Sequence, residues 1–220
     1  MRNRILLCIV ASLAATPCLL RAQLATNAAD EKAIAVAWAG PANDALLTAV
    51  LKHVRANYRC PVRQKPGQDA LKDWSDEAPG KLGKLVTSND VCLLVLANMP
   101  ADSKLTEKVN STLRLGLLNI TGLRLQQMND AKAQEMYLRR VEKESMRVIG
   151  ESLGLPECPL PLCAMNQSKT ERALDTKGWN LCPPCDVKAQ AILKQKGVVW
   201  KIERPPPRKP AAEPPPAEKK

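Results

Sequence analysis

Four cysteines near the C-terminus, Cys158, Cys163, Cys182 and Cys185, limit what this chain can become more than any other feature. They read C-x4-C, then a loop, then C-x2-C. Two close pairs separated by one loop can converge on a single point, and four thiolates at one point are the donor set of a tetrahedral zinc ion. Two disulfides are the alternative, since four cysteines allow three pairings and spacing does not choose among them. A redox reading of C-x2-C lacks any thioredoxin-like surroundings.

The redox question depends on the compartment, which the N-terminus addresses. Residues 1–22 read as a secretory signal: Arg2 and Arg4 open it, a short apolar run follows, and Leu20-Arg21-Ala22 offers a small residue before a cut at Gln23. The run is too short for a comfortable transmembrane helix. The expectation is an exported chain, periplasmic or secreted, with no stable membrane span after signal removal. The formal charge is +11, of which Arg2, Arg4 and Arg21 supply three, leaving +8. No basic stripe is interleaved with aromatic residues, so the charge reads as solvated surface and nucleic-acid binding is not expected. A single histidine, His53, excludes any site built from two or three histidines of one chain, and it reads as a surface or boundary residue at the flank of a helix's apolar stripe.

The 220 residues suit one domain with tails. Aromatics are 3% with no Phe, so the core must be mainly aliphatic. Residues 32–39 (KAIAVAWA) and 91–97 (VCLLVLA) are apolar runs of strand length. Asn43 opens a helix to about Tyr58, with Leu46, Leu47, Val50, Leu51 and Val54 on one face. Residues 59–63 are a short extended piece, and 64–84 read as loop around Pro66-Gly67 and Pro79-Gly80. Residues 113–125 hold one or two strands around Gly116 and Gly122. Asn129 or Asp130 caps a long helix to about Leu153, ended by Gly154 and Pro156. Residues 198–202 read as a last short strand, and 203–220 as a solvated proline-rich tail. Residues 23–31 are a short leader. Cys60 and Cys92 read as buried thiols, with a disulfide between them left open, and Trp38, Trp74, Trp179 and Trp200 as packing residues. Strand–helix–strand order followed by a long helix argues α/β, with a mixed sheet and two main helices.

Residues 147–158 read RVIGESLGLPEC, followed by PLPLCAMN and later CPPC. This resembles the archaemetzincins, metzincin-like zinc peptidases whose pattern is H-E-x-x-H-x-x-G-x-x-H-C, then x4-C-x-M and a later C-x2-C. Gly154 matches the turn glycine, Met165 the methionine beneath the catalytic metal, and Cys158, Cys163, Cys182 and Cys185 the structural zinc site. The loop from Met165 to Cys182 is about one residue shorter than the family spacing, a change a loop absorbs. The resemblance covers about residues 32–195, more weakly upstream of the cysteines. It implies a metzincin-like mixed sheet over 32–202, a C-terminal zinc segment over 158–185 and one structural zinc.

The same alignment puts Arg147, Glu151 and Glu157 at the three histidine positions and Val148 at the general base. Catalytic zinc needs three electron-pair donors, and hydrolysis needs a base for the bound water. Arg147 donates only and stays charged, and Val148 moves no proton. The expectation is therefore a pseudo-peptidase that keeps its structural zinc and binds a peptide or protein ligand along the old cleft, lined by an edge strand near Gly116–Leu125. Arg147, Glu151 and Glu157 would form a salt-bridge cluster where the family holds its metal. Two alternatives stay open: an active zinc metallopeptidase with atypical ligands, and a disulfide-stapled extracytoplasmic interaction module.

Overall fold

A computed structural model describes residues 31–71, 77–103 and 106–199. The signal at 1–22, most of the 23–31 leader, Trp74, Trp200 and the 203–220 tail lie outside the described residues. β1 (Ala33–Ala39) and β3 (Asp90–Ala97) lie side by side, parallel and buried along their whole length. That is why both sequences are continuous apolar runs rather than alternating ones: parallel strands in a sheet covered on both faces have no wet side. The strand order is β2-β1-β3-β5-β4, with β2 at Val62–Gln64, β4 at Glu107–Asn110 and β5 at Leu115–Asn119. β4 runs antiparallel to β5 and forms one edge, while β2 pairs in parallel with β1 at the other.

One face of the sheet carries two helices, α1 (Asp44–Tyr58) and α3 (Ala131–Leu153). Ile34, Val36 and Trp38 of β1 and Leu94 and Leu96 of β3 meet Leu46, Val50 and Val54 of α1 and Val141, Val148 and Ile149 of α3 in one core. The Tyr58 hydroxyl donates to the Met146 carbonyl at 2.8 Å and locks the end of α1 to the middle of α3. The opposite face is thinner: Ala35, Ala37, Leu93, Val95, Leu115 and Leu117 pack on Leu82 of a short helix α2 (Glu77–Gly83). The segment 64–84, read as loop, thus contains one helical stretch that its prolines and glycines concealed.

Capping chemistry places the helices as the sequence suggests. Asn43 Oδ1 accepts from Leu46 N at 3.0 Å, and Asp130 Oδ1 accepts from Ala133 N at 2.6 Å. α3 ends where Gly154 adopts φ 97°, a left-handed turn in which Leu155 N donates to Gly150 O at 2.8 Å. The remaining elements refine the sequence reading or depart from it. Residues 113–125 hold one strand, β5, and a 3-10 turn at Thr121–Leu123. The second strand of that hairpin is β4, a polar strand with no apolar run to announce it, and the sheet edge is β4 rather than the Gly116–Leu125 stretch, because β5 lies between β3 and β4. The cysteine segment, to which the sequence reading assigns no element, contains α4 (Glu171–Thr176) and the start of α5 (Pro183–Gln195). Residues 198–199 are not strand.

Candidate metal centre and the charged site beside it

The four cysteines converge. Cys158 and Cys163 lie on the loop after α3, Cys182 caps the start of α5 and Cys185 sits in its first turn, with Pro183 and Pro184 preset for that position. All four Sγ atoms lie within 4.8 Å of one another. Cys158 Sγ and Cys182 Sγ are 3.7 Å apart. A tetrahedron of sulfurs about 2.3 Å from a central zinc has edges of about 3.8 Å, so the spacing fits that ion. The surroundings fit as well. The backbone N–H groups of Met165 and Cys182 both donate to Cys163 Sγ at 3.4 Å, the kind of contact that steadies thiolate charge. Burial pushes the Cys163 and Cys185 thiols up, and the neighbouring thiols add to the effect at Cys185. At Cys182 burial is outweighed by the Cys185 backbone N–H and the adjacent thiols, which pull it below the usual range. In a set this close, a divalent cation is the partner that lets all four ionise. Cys60 and Cys92 are elsewhere, both fully buried as free thiols in the core under α1, and burial pushes Cys60 up to about 12.

Met165 links this centre to the second half of α3. Its carbonyl accepts from Cys158 N at 3.1 Å, and its side chain is fully buried against Gly150. A Cβ on Gly150 would stand 2.2 Å from Met165 Sδ, so α3 approaches the methionine as closely as a bare backbone allows.

Directly above, Arg147 is buried in a nest of carboxylates. Its Nε and Nη2 donate to Glu144 Oε2 at 2.8 and 2.6 Å, and its Nη1 donates to Glu151 Oε1 at 2.6 Å. Glu107, from the edge strand β4, pairs with Nη2 as well. Lys177 Nζ completes the group, donating to Glu144 Oε1 at 2.6 Å and to the Asn166 carbonyl at 3.0 Å. Burial raises the Glu144 carboxyl, against the pull of Lys177. Two cations and three carboxylates from α3, β4 and the loop after α4 thus meet in one small volume. Glu157 is exposed and makes no ion pair among the described residues, so the expected three-residue cluster forms with Glu144 and Glu107 in its place. The Gly154 turn carries Glu157 past the cluster to solvent rather than over it. Glu144 was within reach of helical spacing, three residues before Arg147. Glu107 and Lys177 arrive from other elements and had no local signal.

Val148 turns the other way. It is fully buried, and a Cβ on Gly116 of β5 would meet Val148 Cγ1 at 2.4 Å. The side chain therefore fills the seam between α3 and the sheet. His53 is buried, not at a boundary: its ring stacks on Trp179 at 4.8 Å and 14°, and Nε2 lies 3.1 Å from the Trp179 carbonyl. Arg139 lies 4.8 Å from the other partner of that stack, the Trp179 ring. This pile holds the loop that leads into Cys182.

Residues 103–191, from the approach to β4 through α5, match the model of Peptidase family M54. The chain is archaemetzincin-like. The archaemetzincin of Natronomonas pharaonis is 39% identical over 57 residues, 26% of this chain and 33% of that protein. The archaemetzincin of Haloarcula marismortui is 38% identical over 71 residues, 30% of this chain and 41% of that one. The matches therefore span a third to two fifths of these relatives. The crystal structure of the archaemetzincin from Methanopyrus kandleri superposes with a TM-score of 0.58 over 75% of this chain and 97% of that one, at 20% identity. That likeness extends the shared fold to strands the sequence matches leave out. The matched segment carries the cysteine centre and the Arg147 site together.

Proposed function

We infer that this archaemetzincin-like chain is an exported pseudo-peptidase: it keeps a structural zinc at Cys158, Cys163, Cys182 and Cys185 and has lost the hydrolytic centre. One observation carries the reading. Arg147, at the first ligand position of the family pattern, is held by Glu144, Glu151 and Glu107, so the carboxylates that would otherwise be free to ligate a cation are already neutralised by a guanidinium. A divalent ion there would have to displace a bound positive charge. The burial of Val148 against β5 supports the same conclusion, since no proton acceptor stands at that position. The zinc, when bound, supplies cross-linking of the 158–163 loop to α5 rather than a reaction. The remaining role is recognition of an extended peptide beside the edge strand β4, whose outer edge has no strand paired to it among the described residues.

Metal content and hydrolysis together test the reading. The purified mature chain should carry about one zinc per molecule, as expected of a single closed four-thiolate site. It should release no fragments from an unstructured casein substrate, with or without chelator. Cleavage abolished by chelator and restored by zinc would establish the atypical-ligand peptidase instead. Metal-free protein with four oxidised thiols would establish the stapled module.

A further inference from the structure

β1 and β3 are neighbours, but the chain leaves them in opposite directions, from β1 through α1 to β2 and from β3 toward β4 and β5. In an open α/β sheet such a divergence leaves a crevice outside the carboxyl ends of the two strands, and ligands bind there. Here the crevice is a cavity of about 460 Å³ between Trp38 at the end of β1 and Pro41 beyond it, Asn98 and Met99 beyond β3, and Thr121 beyond β5. A second cavity of about 520 Å³ shares Asn43, Leu46, Arg124 and Tyr137 with it and runs on between α1 and α3 to Met128 and Leu138. The shared walls make them one groove. Tyr137 precedes Arg147 by ten residues of α3, about 15 Å of helix axis, so this groove is not the charged site described above.

The groove has a polar end of one sign. Among the described residues, Arg124 is the only charged one lining either cavity. Its guanidinium lies 6.0 Å from the Tyr137 ring centroid. Asp44 and Asp130, at the neighbouring helix starts, are not among the lining residues. The first turn of α1, with Asn43 and Ala45 in the wall, adds the positive end of a 15-residue helix to the same place. In the second cavity the rest of the wall is Leu46, Met128 and Leu138, with Gln134 the polar side chain among them.

We propose that this groove binds a small organic monocarboxylate with an apolar body. The carboxylate sits against Arg124 and the α1 terminus, and the body lies along Leu46, Met128 and Leu138. This does not depend on the pseudo-peptidase reading, since no residue of the Arg147 site takes part. The test uses the full chain, 4-phenylbutyrate and the isosteric 4-phenylbutylamine, followed by two-dimensional 1H–15N NMR. The acid should shift amides of residues 42–46, 121–128 and 134–138, and the amine should leave them unmoved. Arg124→Gln should weaken the acid by about tenfold, the loss of one charge-assisted bond. Arg124→Glu should reverse the preference toward the amine. Arg124 is exposed, so both variants should keep wild-type amide spectra away from the groove. No shifts with the acid, equal shifts with both compounds, or acid binding unchanged in Arg124→Glu would overturn the assignment.

Discussion

Arg147 and Glu144 stand three residues apart on α3, and the guanidinium grips a single carboxylate oxygen through both Nε and Nη2, at 2.8 and 2.6 Å. Lys177 holds the other oxygen at 2.6 Å. Glu144 is thus saturated by two cations in a buried setting, where an unpaired charge is costly.

Removing one partner should expose that cost. Arg147→Met is expected to destabilise the fold by about 3–5 kcal/mol, because Glu144 loses a cation while Glu107 and Glu151 remain. Arg147→Met combined with Glu144→Leu and Lys177→Met should recover much of the loss, since Lys177 would otherwise be left without its carboxylate and exchanging a whole buried ionic group for apolar side chains is often neutral. Urea unfolding of both variants measures the difference. Equal losses in the single and triple variants would mean that the pairing has no energetic content.

The cysteine centre predicts coupling between metal and fold. Cys163→Ser should lose the metal and lower the unfolding temperature well beyond the effect of a surface substitution, because Cys163 is fully buried and accepts two backbone N–H groups. Chelator should do the same to the native chain, and the amides of 158–195 should be the first to lose hydrogen-exchange protection. Protection that stays uniform after chelation would separate this segment from any metal.

His53 makes a pH prediction of definite sign. Burial beside Trp179 lowers it from 6.5 to about 4, against the Trp179 carbonyl, which pulls the other way. Above pH 6.5 the ring is neutral in both folded and unfolded chains and the stability is whole. Between pH 6.5 and 4 the unfolded chain takes up a proton that the folded chain refuses, so stability falls as pH drops. The full loss is on the order of 3 kcal/mol. His53→Gln should remove the part of the slope within that window. Denaturant melts of both proteins at pH 7 and pH 4.5 measure it, and parallel slopes would refute the assignment to this, the chain's single histidine.

Gly150 should invert a familiar rule. Glycine to alanine inside a helix usually stabilises by about 1 kcal/mol. At Gly150 the new methyl would lie 2.2 Å from Met165 Sδ in a fully buried pair. Overpacking of this kind costs about 1–3 kcal/mol, so the net effect should be destabilising. A Gly150→Ala chain that melts higher than wild type would show that Met165 is free to move aside.

Several elements are legible in the order of residues alone. β1 and β3 declare themselves as unbroken apolar runs, and α1 and α3 by helical spacing with Asn43, Asp130 and Gly154 at their ends. The spacing of Cys158, Cys163, Cys182 and Cys185 carries the candidate metal centre, and residues 147–158 carry the family resemblance. β4 is hidden because an edge strand of sequence EKVN is held by main-chain bonds to β5 and needs no apolar pattern of its own. The helix α5 is hidden behind Pro183 and Pro184, which read as breakers although they are well suited to a first helical turn.

Residue type alone settles which groups are present: four thiols in two close pairs, and, where the resemblance expects a first metal ligand and a general base, an arginine and a valine. No conformation makes a guanidinium an electron-pair donor, so that inventory holds whatever the fold. Which groups meet is a matter of three-dimensional packing. Glu107 reaches Arg147 from 40 positions away and Lys177 reaches Glu144 from 33, while Glu157, the near neighbour in sequence, turns out to water. Charge partners are chosen by where the backbone delivers them, and that delivery depends on the packing of α3 on the sheet, which no local pattern encodes.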